Sequence, residues 1–288
     1  MGQDLAWING EISPAEEARV PFLDHGYLFG FGVYETMKTY GGKLFALKEH
    51  FDRLEQSMHA LEIKPELSRE KLRHILEDLV AQAAHDTESF VYLQVTRGPG
   101  PRHEIRLPSA RPTVGIFVTA MPLLAEEVRR RGVTAISLPD ERWRNPHMKT
   151  LNLLPNMLAK MKAQTAGAYE AIFYKEEGGL VTEGASSNVF AVCGQTVVTP
   201  PADGRILQGV TRLRLLQSAA KRGIIIREKS ITLDELRRAD EIFISSTGVE
   251  ALGISTLDEV TIGDGQAGPM SLKLYTWFME DIAEELGE

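Results

Sequence analysis

Two segments constrain this chain more than any others. They are Pro146-His147-Met148-Lys149-Thr150-Leu151-Asn152-Leu153-Leu154 and Val181-Thr182-Glu183-Gly184-Ala185-Ser186-Ser187-Asn188-Val189-Phe190. In the first, one lysine sits where a strand-like stretch meets a helix-like one. In the second, one glutamate lies in a run of small and hydroxyl residues that leads into an apolar strand. Both residues fall at junctions of regular elements, which points to a mixed α+β architecture.

A lysine able to form a Schiff base and a carboxylate able to keep a pyridine nitrogen protonated are what pyridoxal 5'-phosphate chemistry requires. A lysine drawn out of water gives up its proton more readily and becomes a usable nucleophile and base. Lys149 is followed by Leu151, Leu153 and Leu154, so its surroundings are expected to be buried. Glu183 is equally compatible, on local sequence alone, with capping a turn.

Length and charge narrow the field. At 288 residues two domains are favoured. The net charge of −8 argues against nucleic-acid binding through phosphate contacts. No apolar run approaches the length needed to cross a bilayer. The N-terminal Met-Gly-Gln-Asp-Leu-Ala-Trp lacks the basic and apolar regions of a signal peptide, and Ala6 does not suit myristoylation. The single Cys193 cannot form an internal disulfide, so a cytoplasmic location is expected. Cys193 itself is expected to be a small buried hydrophobe in a strand.

The pattern along the chain begins with a hairpin, Ala6-Trp7-Ile8 and Glu11-Ile12 around Asn9-Gly10. Val33 to Thr39, Leu44 to Leu47, Phe90 to Thr96 and Val114 to Ala120 read as strands. Apolar spacing predicts helices over Lys48 to His59 and Arg69 to Ala84. The polar stretch 121–131 marks a linker between a small N-terminal domain, 1–120, and a larger C-terminal one, 132–288, that carries the lysine. In the latter, Val133 to Leu138, Ala171 to Tyr174, Gly184 to Val192, Thr196 to Thr199, Glu241 to Ser245 and a buried Ile224-Ile225-Ile226 read as strands. Asn152 to Ala166, Thr211 to Arg222, Leu233 to Ala239 and Ser271 to Leu286 read as helices, with Pro155 in a first turn.

Three places could hold a phosphate. Arg53 lies in Glu49-His50-Phe51-Asp52-Arg53-Leu54, where a surface ion pair with Glu49 or Asp52 is the alternative. Gly209-Val210-Thr211 opens a helix, whose first N–H groups and threonine hydroxyl are donors; an ordinary N-cap is the alternative. Ser245-Ser246-Thr247-Gly248 ends a strand and could add further donors. There is no Gly-x-Gly-x-x-Gly or Walker A arrangement. The seven histidines are scattered without metal-ligand spacing, so no metal is expected.

Taken together, these residues resemble a known family. The chain from about Trp7 onward is similar to the fold-type IV pyridoxal-phosphate enzymes, the class IV aminotransferases, which include D-amino acid and branched-chain aminotransferases and 4-amino-4-deoxychorismate lyase. The resemblance is carried by Asp24-His25-Gly26-Tyr27-Leu28-Phe29-Gly30-Phe31-Gly32-Val33-Tyr34-Glu35, by the Arg53 and Lys149 segments, by Thr182 to Asn188, by Leu207-Gln208-Gly209-Val210-Thr211-Arg212, and by Ser245-Ser246-Thr247. It implies that Lys149 carries the cofactor and shuttles a proton, and that Glu183 holds the pyridine nitrogen. Arg53, Val210, Thr211, Ser246 and Thr247 would bind the phosphate, Leu207 would pack under the ring, and Tyr34 would border the substrate. The implied fold is a small N-terminal α/β domain, a larger C-terminal pseudo-barrel domain and a cleft between them. At least a dimer is implied, each cleft borrowing a loop from its partner.

Within the family, Phe90-Val91-Tyr92-Leu93-Gln94-Val95-Thr96-Arg97-Gly98 resembles the D-amino acid enzymes more than the branched-chain ones, which often place an arginine where Gln94 stands. The D-specific enzymes bind the substrate carboxylate with an arginine and, two residues on, a histidine. Arg102 matches the arginine; the second position is Glu104, with His103 one residue earlier. A carboxylate there opposes the substrate's charge unless it turns away or pairs with Arg106. The expected activity is transfer of an amino group from an amino acid, D-amino acids favoured, to a 2-oxo acid such as pyruvate or 2-oxoglutarate. Branched-chain or amine transamination and the lyase reaction are the alternatives.

Overall fold

Strand alternation and helical periodicity produce two compact units, Met1–Leu123 with Met148–Asn152, and Leu124–His147 with Leu153–Glu288. The computed structural model describes residues 2–104 and 111–287.

The first unit contains β1 (Leu5–Ile8), β2 (Glu11–Pro14), α1 (His25–Phe29), β3 (Gly32–Tyr40), β4 (Lys43–Leu44), α2 (Leu47–Ala60), α3 (Arg69–Ala83), β5 (Ser89–Thr96) and β6 (Val114–Ala120). The Asn9-Gly10 turn joins β1 to β2 as expected, both residues taking the positive φ that such turns need. Among the described residues the strands form one antiparallel sheet in the order β2-β1-β6-β5-β3-β4. Alternation gives the sheet one apolar face: Val33, Met37, Val91, Leu93, Val95, Val114, Ile116 and Val118 are buried with Phe51, Leu54, Leu72, Leu76 and Leu79 of the two long helices. Asp24 caps α1, accepting from Gly26 N–H at 2.7 Å and from the hydroxyls of Thr96 and Thr113 at 2.9 and 2.6 Å. That buried carboxylate ties the segment before β3 to the ends of β5 and β6.

The second unit contains α4 (Glu126–Arg131), β7 (Val133–Pro139), α5 (Leu154–Thr165), β8 (Glu170–Tyr174), β9 (Val181–Gly184), β10 (Asn188–Cys193), β11 (Thr196–Thr199), α6 (Val210–Lys221), β12 (Ile226–Glu228), α7 (Leu233–Arg237), β13 (Glu241–Ser246), β14 (Glu250–Leu257), β15 (Val260–Thr261) and α8 (Pro269–Leu286). Its sheet runs β12-β11-β10-β13-β14-β7-β8-β9, with β15 on β14. A tight turn at Ala185–Ser187, with Gly184 N–H donating to Ser187 O at 2.7 Å, joins β9 to β10.

Several expectations need amendment. The stretch 121–131 includes a helix, α4, anchored by buried Arg129, which donates to the carbonyls of Val249 and Ala251 and to Glu250. Gly184 to Val192 is not one strand: Glu170 takes the hydroxyls of Ser186 and Ser187 at 3.0 and 2.9 Å and holds a turn there. The strand expected at 224–226 begins at Ile226, and Ile225 is 76% exposed. Cys193 ends β10 and is exposed rather than buried.

Candidate active site

The expected residues divide between the two units. In the first, Lys149 lies in a five-residue piece that attaches to β3. Tyr34 N–H donates to Lys149 O at 3.0 Å, Leu151 N–H to Gly32 O at 3.1 Å, and Val33 bridges Thr150. Lys149 N–H donates to Ser57 Oγ of α2 at 3.1 Å. The backbone on both sides of the amine is therefore fixed. Lys149 Nζ sits 4.2 Å from the centroid of the Tyr34 ring, a cation–π distance. This lysine was expected within the larger C-terminal part; its segment clusters with the first unit.

On the opposite face of β3, Glu35 is fully buried. Arg53 grips it in a bidentate pair, Nε to Oε1 and Nη2 to Oε2, both at 2.7 Å. His50 Nδ1 is 2.8 Å from Oε2. Burial alone would raise the Glu35 carboxyl, but the Arg53 charge and the bonds from Arg53 and His50 outweigh it and bring it down to about 2. An ionised Glu35 makes His50 the donor at Nδ1. Burial pushes the His50 imidazole down, Glu35 opposing. The Arg53 fork is thus on Glu35; Asp52 pairs with Lys48 and Arg69, each at 2.7 Å. Glu35 fixes the plane of a guanidinium that could clamp a phosphate.

In the second unit, Glu183 is buried and held on both oxygens. Leu207 N–H donates to Oε1 and Oε2 at 3.1 Å, Asn188 Nδ2 to Oε2 at 3.0 Å, and Arg142 to Oε1. Arg142 also donates to Asp140 at 2.9 Å from Nε and from Nη2, and stacks on the Phe173 ring. Burial raises the Glu183 carboxyl, while Arg142 and the Leu207 N–H pull it down. Burial also works against the Arg142 charge, but Asp140 and Glu183 hold that guanidinium more firmly protonated than usual. Asp140 falls to about 2, since Arg142 and Lys175 overcome its burial. A buried acid supported in this way can face a cationic ring nitrogen.

Asn188 connects this acid to the phosphate candidates. Its Nδ2 donates to Leu207 O at 2.8 Å, and a Cβ on Gly209 would lie 2.1 Å from its Oδ1, so only glycine fits there. Gly209 gives α6 no side-chain cap, which leaves the first N–H groups of Val210 and Thr211 to an outside acceptor. Asn188 pairs in register with Ser245, whose buried hydroxyl has no partner among the described residues. Ser246 ends β13, and Thr247 follows in the partly exposed turn before β14. An uncapped helix start, an orphaned hydroxyl and a supported carboxylate fit the phosphate and pyridine nitrogen of pyridoxal phosphate.

Arg102, His103 and Glu104 are exposed, and Arg102 lies 5.5 Å over the Phe29 ring. No bond joins them to Tyr34 or Lys149 among the described residues; Arg106, the possible partner of Glu104, lies outside the described residues. Sequence reasoning did not single out Arg142 and Asn188, which hold Glu183, or Glu35 and His50, which hold and neighbour the Arg53 fork. Glu35 had a signal, a carboxylate at the core-facing parity of Val33 and Met37. Arg142, inside Asp140-Glu141-Arg142-Trp143-Arg144, had none.

Comparison with known proteins shows the family. The family described as amino-transferase class IV matches residues 32–257. A D-alanine aminotransferase of Listeria monocytogenes is 41% identical over 284 residues, covering 98% of this chain and 97% of the relative. That of Bacillus licheniformis is 39% identical over 277 residues, covering 96% of each. Among solved structures, a T.th. branched-chain amino acid aminotransferase with pyridoxamine 5'-phosphate has a TM-score of 0.88 at 28% identity, covering 97% of this chain and 94% of its own. One from Thermoproteus uzoniensis with norvaline gives 0.86 at 26%, covering 98% and 95%. The chain therefore belongs to the class IV aminotransferases and is a transaminase dependent on pyridoxal phosphate.

Proposed function

We propose that this transaminase takes D-amino acids as donors and 2-oxo acids such as pyruvate or 2-oxoglutarate as acceptors, in two half-reactions. The observation that carries the donor preference is near-full-length identity of 41% and 39% to D-alanine aminotransferases. The Phe90–Gly98 pattern supports it.

Bound pyridoxal phosphate supplies a ring that accepts the electron pair released when the substrate Cα–H bond breaks. Lys149 Nζ would hold the cofactor until the substrate amine displaces it; the freed amine would then take the proton from the substrate Cα and give it back on the cofactor side. The β3 and Ser57 hydrogen bonds keep its backbone still during that transfer. Glu183 keeps the ring nitrogen charged; Arg142 and Asn188 keep Glu183 in place. Arg53, oriented by Glu35, and the N–H groups of Val210 and Thr211 bind the phosphate, with the hydroxyls of Thr211, Ser246 and Thr247. Leu207 packs under the ring. Tyr34 borders the substrate, and Arg102 with His103 binds its carboxylate.

The protein acts in the cytoplasm as a homodimer. Val20, Phe22, Leu23, Tyr27 and Phe29 are exposed together in one short stretch, an apolar surface suited to a second copy. No helix among the described residues is long and apolar enough to cross a membrane. Glu104, in the place of a carboxylate-binding histidine, favours a second reading: branched-chain L-acids or amines as donors. A panel of D- and L-amino acids and amines, each with pyruvate or 2-oxoglutarate, decides between them. Preference for L-acids or amines would overturn the D-specific reading, and turnover without an acceptor would indicate elimination of the lyase type.

A further inference from the structure

The face of the first sheet opposite its helices is not an ordinary solvated surface. Strand register places Tyr34 beside Gln94, Gln94 beside Gly115, and Gly115 beside Ile8. The next row holds Thr36, Tyr92, Phe117 and Ala6. Tyr34 stacks on Tyr92 with ring centroids 5.4 Å apart, and Tyr92 on Phe117 at 4.9 Å. The Lys149 amine lies over the Tyr34 end of this aromatic floor.

Gly115 interrupts the floor for no reason internal to the chain. Glycine inside a strand weakens it, and usually marks a bulge or close approach by something else. Elsewhere the need is visible: a Cβ on Gly26 would lie 2.3 Å from Thr96 Cγ2, and one on Gly32 2.8 Å from Leu151 Cδ1. On Gly115 a Cβ would meet nothing nearer than Ile8 Cγ1 at 4.0 Å. Gly115 does not take positive φ either. The space over it is open and adjoins Gln94. The Tyr92 hydroxyl donates to Gln94 Oε1 at 2.9 Å, which fixes the orientation of the amide.

We infer that the row Tyr34–Gln94–Gly115 receives the side chain of the amino donor, and that Gly115 sets how large that side chain can be. The inference rests on the reading of Lys149 as the reacting amine. Aromatic faces, an amide and a glycine notch form a surface with no charged side chain in either row. An aromatic or branched apolar group would bury well against it, whereas a charged one would lose water without a partner. The site therefore favours uncharged donors larger than alanine and, of the two acceptors proposed above, pyruvate over 2-oxoglutarate, whose second carboxylate would meet the same surface.

The test compares phenylalanine with alanine, in the configuration the enzyme uses, on cofactor-loaded wild type, Gly115→Ala and Gly115→Val. The kcat/KM ratio of phenylalanine to alanine should fall about tenfold in Gly115→Val, as for a pocket narrowed by one or two carbons, and less in Gly115→Ala. The melting temperature of Gly115→Ala should not drop, since its methyl has room. A constant ratio in an active enzyme overturns this inference alone, as does a variant whose ratio shifts only because its oligomeric state changes on gel filtration. A wild type inert toward every donor overturns the reading of Lys149, and this inference with it.

Discussion

Arg53 meets Glu35 through two parallel hydrogen bonds of 2.7 Å, and the acid is completely shielded from solvent. Their union makes acid sensitivity a direct readout of the clamp. The Glu35 carboxyl falls from its ordinary 4.5 to about 2 on folding. A depressed acid adds stability that is fully present above its ordinary value and is lost as pH falls toward its folded one. Wild type should lose a few kcal/mol of stability from this group between about pH 4.5 and 2, and its melting temperature should fall with it. Glu35→Gln should be less stable at pH 7 by about 3–5 kcal/mol, because the Arg53 fork then loses the carboxylate it grips. Its own decline on acidification should be shallower. Thermal unfolding at pH 7, 4.5 and 3 checks both; parallel declines would remove Glu35 from the account.

Arg142→Gln removes the cation beside Glu183. Burial then raises that carboxyl further, so the acid limb of the kcat profile should move to higher pH. Activity should drop by roughly 10–100-fold, as for other groups that orient a catalytic ligand. Arg142→Lys should restore part of the limb's position. Rate profiles over pH 5 to 9 measure this, and an acid limb that stays in place in Arg142→Gln speaks against the support.

Lys149→Ala should still take up cofactor, because the proposed phosphate donors lie elsewhere. It should lack the visible absorbance band of the loaded wild type. Turnover should fall by roughly 10⁴-fold, the upper end for loss of a general acid–base group. Retained transamination would refute the role.

Arg102→Ala should raise substrate KM about tenfold or more, the value of a charge-assisted hydrogen bond, and leave cofactor affinity where it was. Titrating donor and cofactor separately distinguishes the two effects. An unmoved KM takes Arg102 out of the site.

Elements whose apolar spacing carries the information were legible. The helices α2, α3 and α8 begin or end within two residues of their expected limits, because one buried stripe defines each. Elements defined by distant partners were not. The break between β9 and β10 depends on Glu170, far upstream of Ser186 and Ser187. Ile224-Ile225-Ile226 looks like a core strand, yet β12 is an edge strand pairing only with β11 among the described residues, and Ile225 lies outside it. At the site, the lysine and glutamate could be read because their motifs are local. Arg142 could not, because Glu183, 41 residues on, meets it only once β9 has folded.

The reactive lysine is also a piece of masonry. Residues 148–152 complete the edge of β3 although the sequence on either side of them builds the other unit. The N-terminal sheet therefore cannot be finished until Asn152 has emerged from the ribosome. A truncation after Leu123 would yield a fragment missing its last hydrogen-bonded neighbour as well as its chemistry. Evolution cannot readily exchange this front half between relatives as a cassette without carrying the five residues around Lys149 along with it.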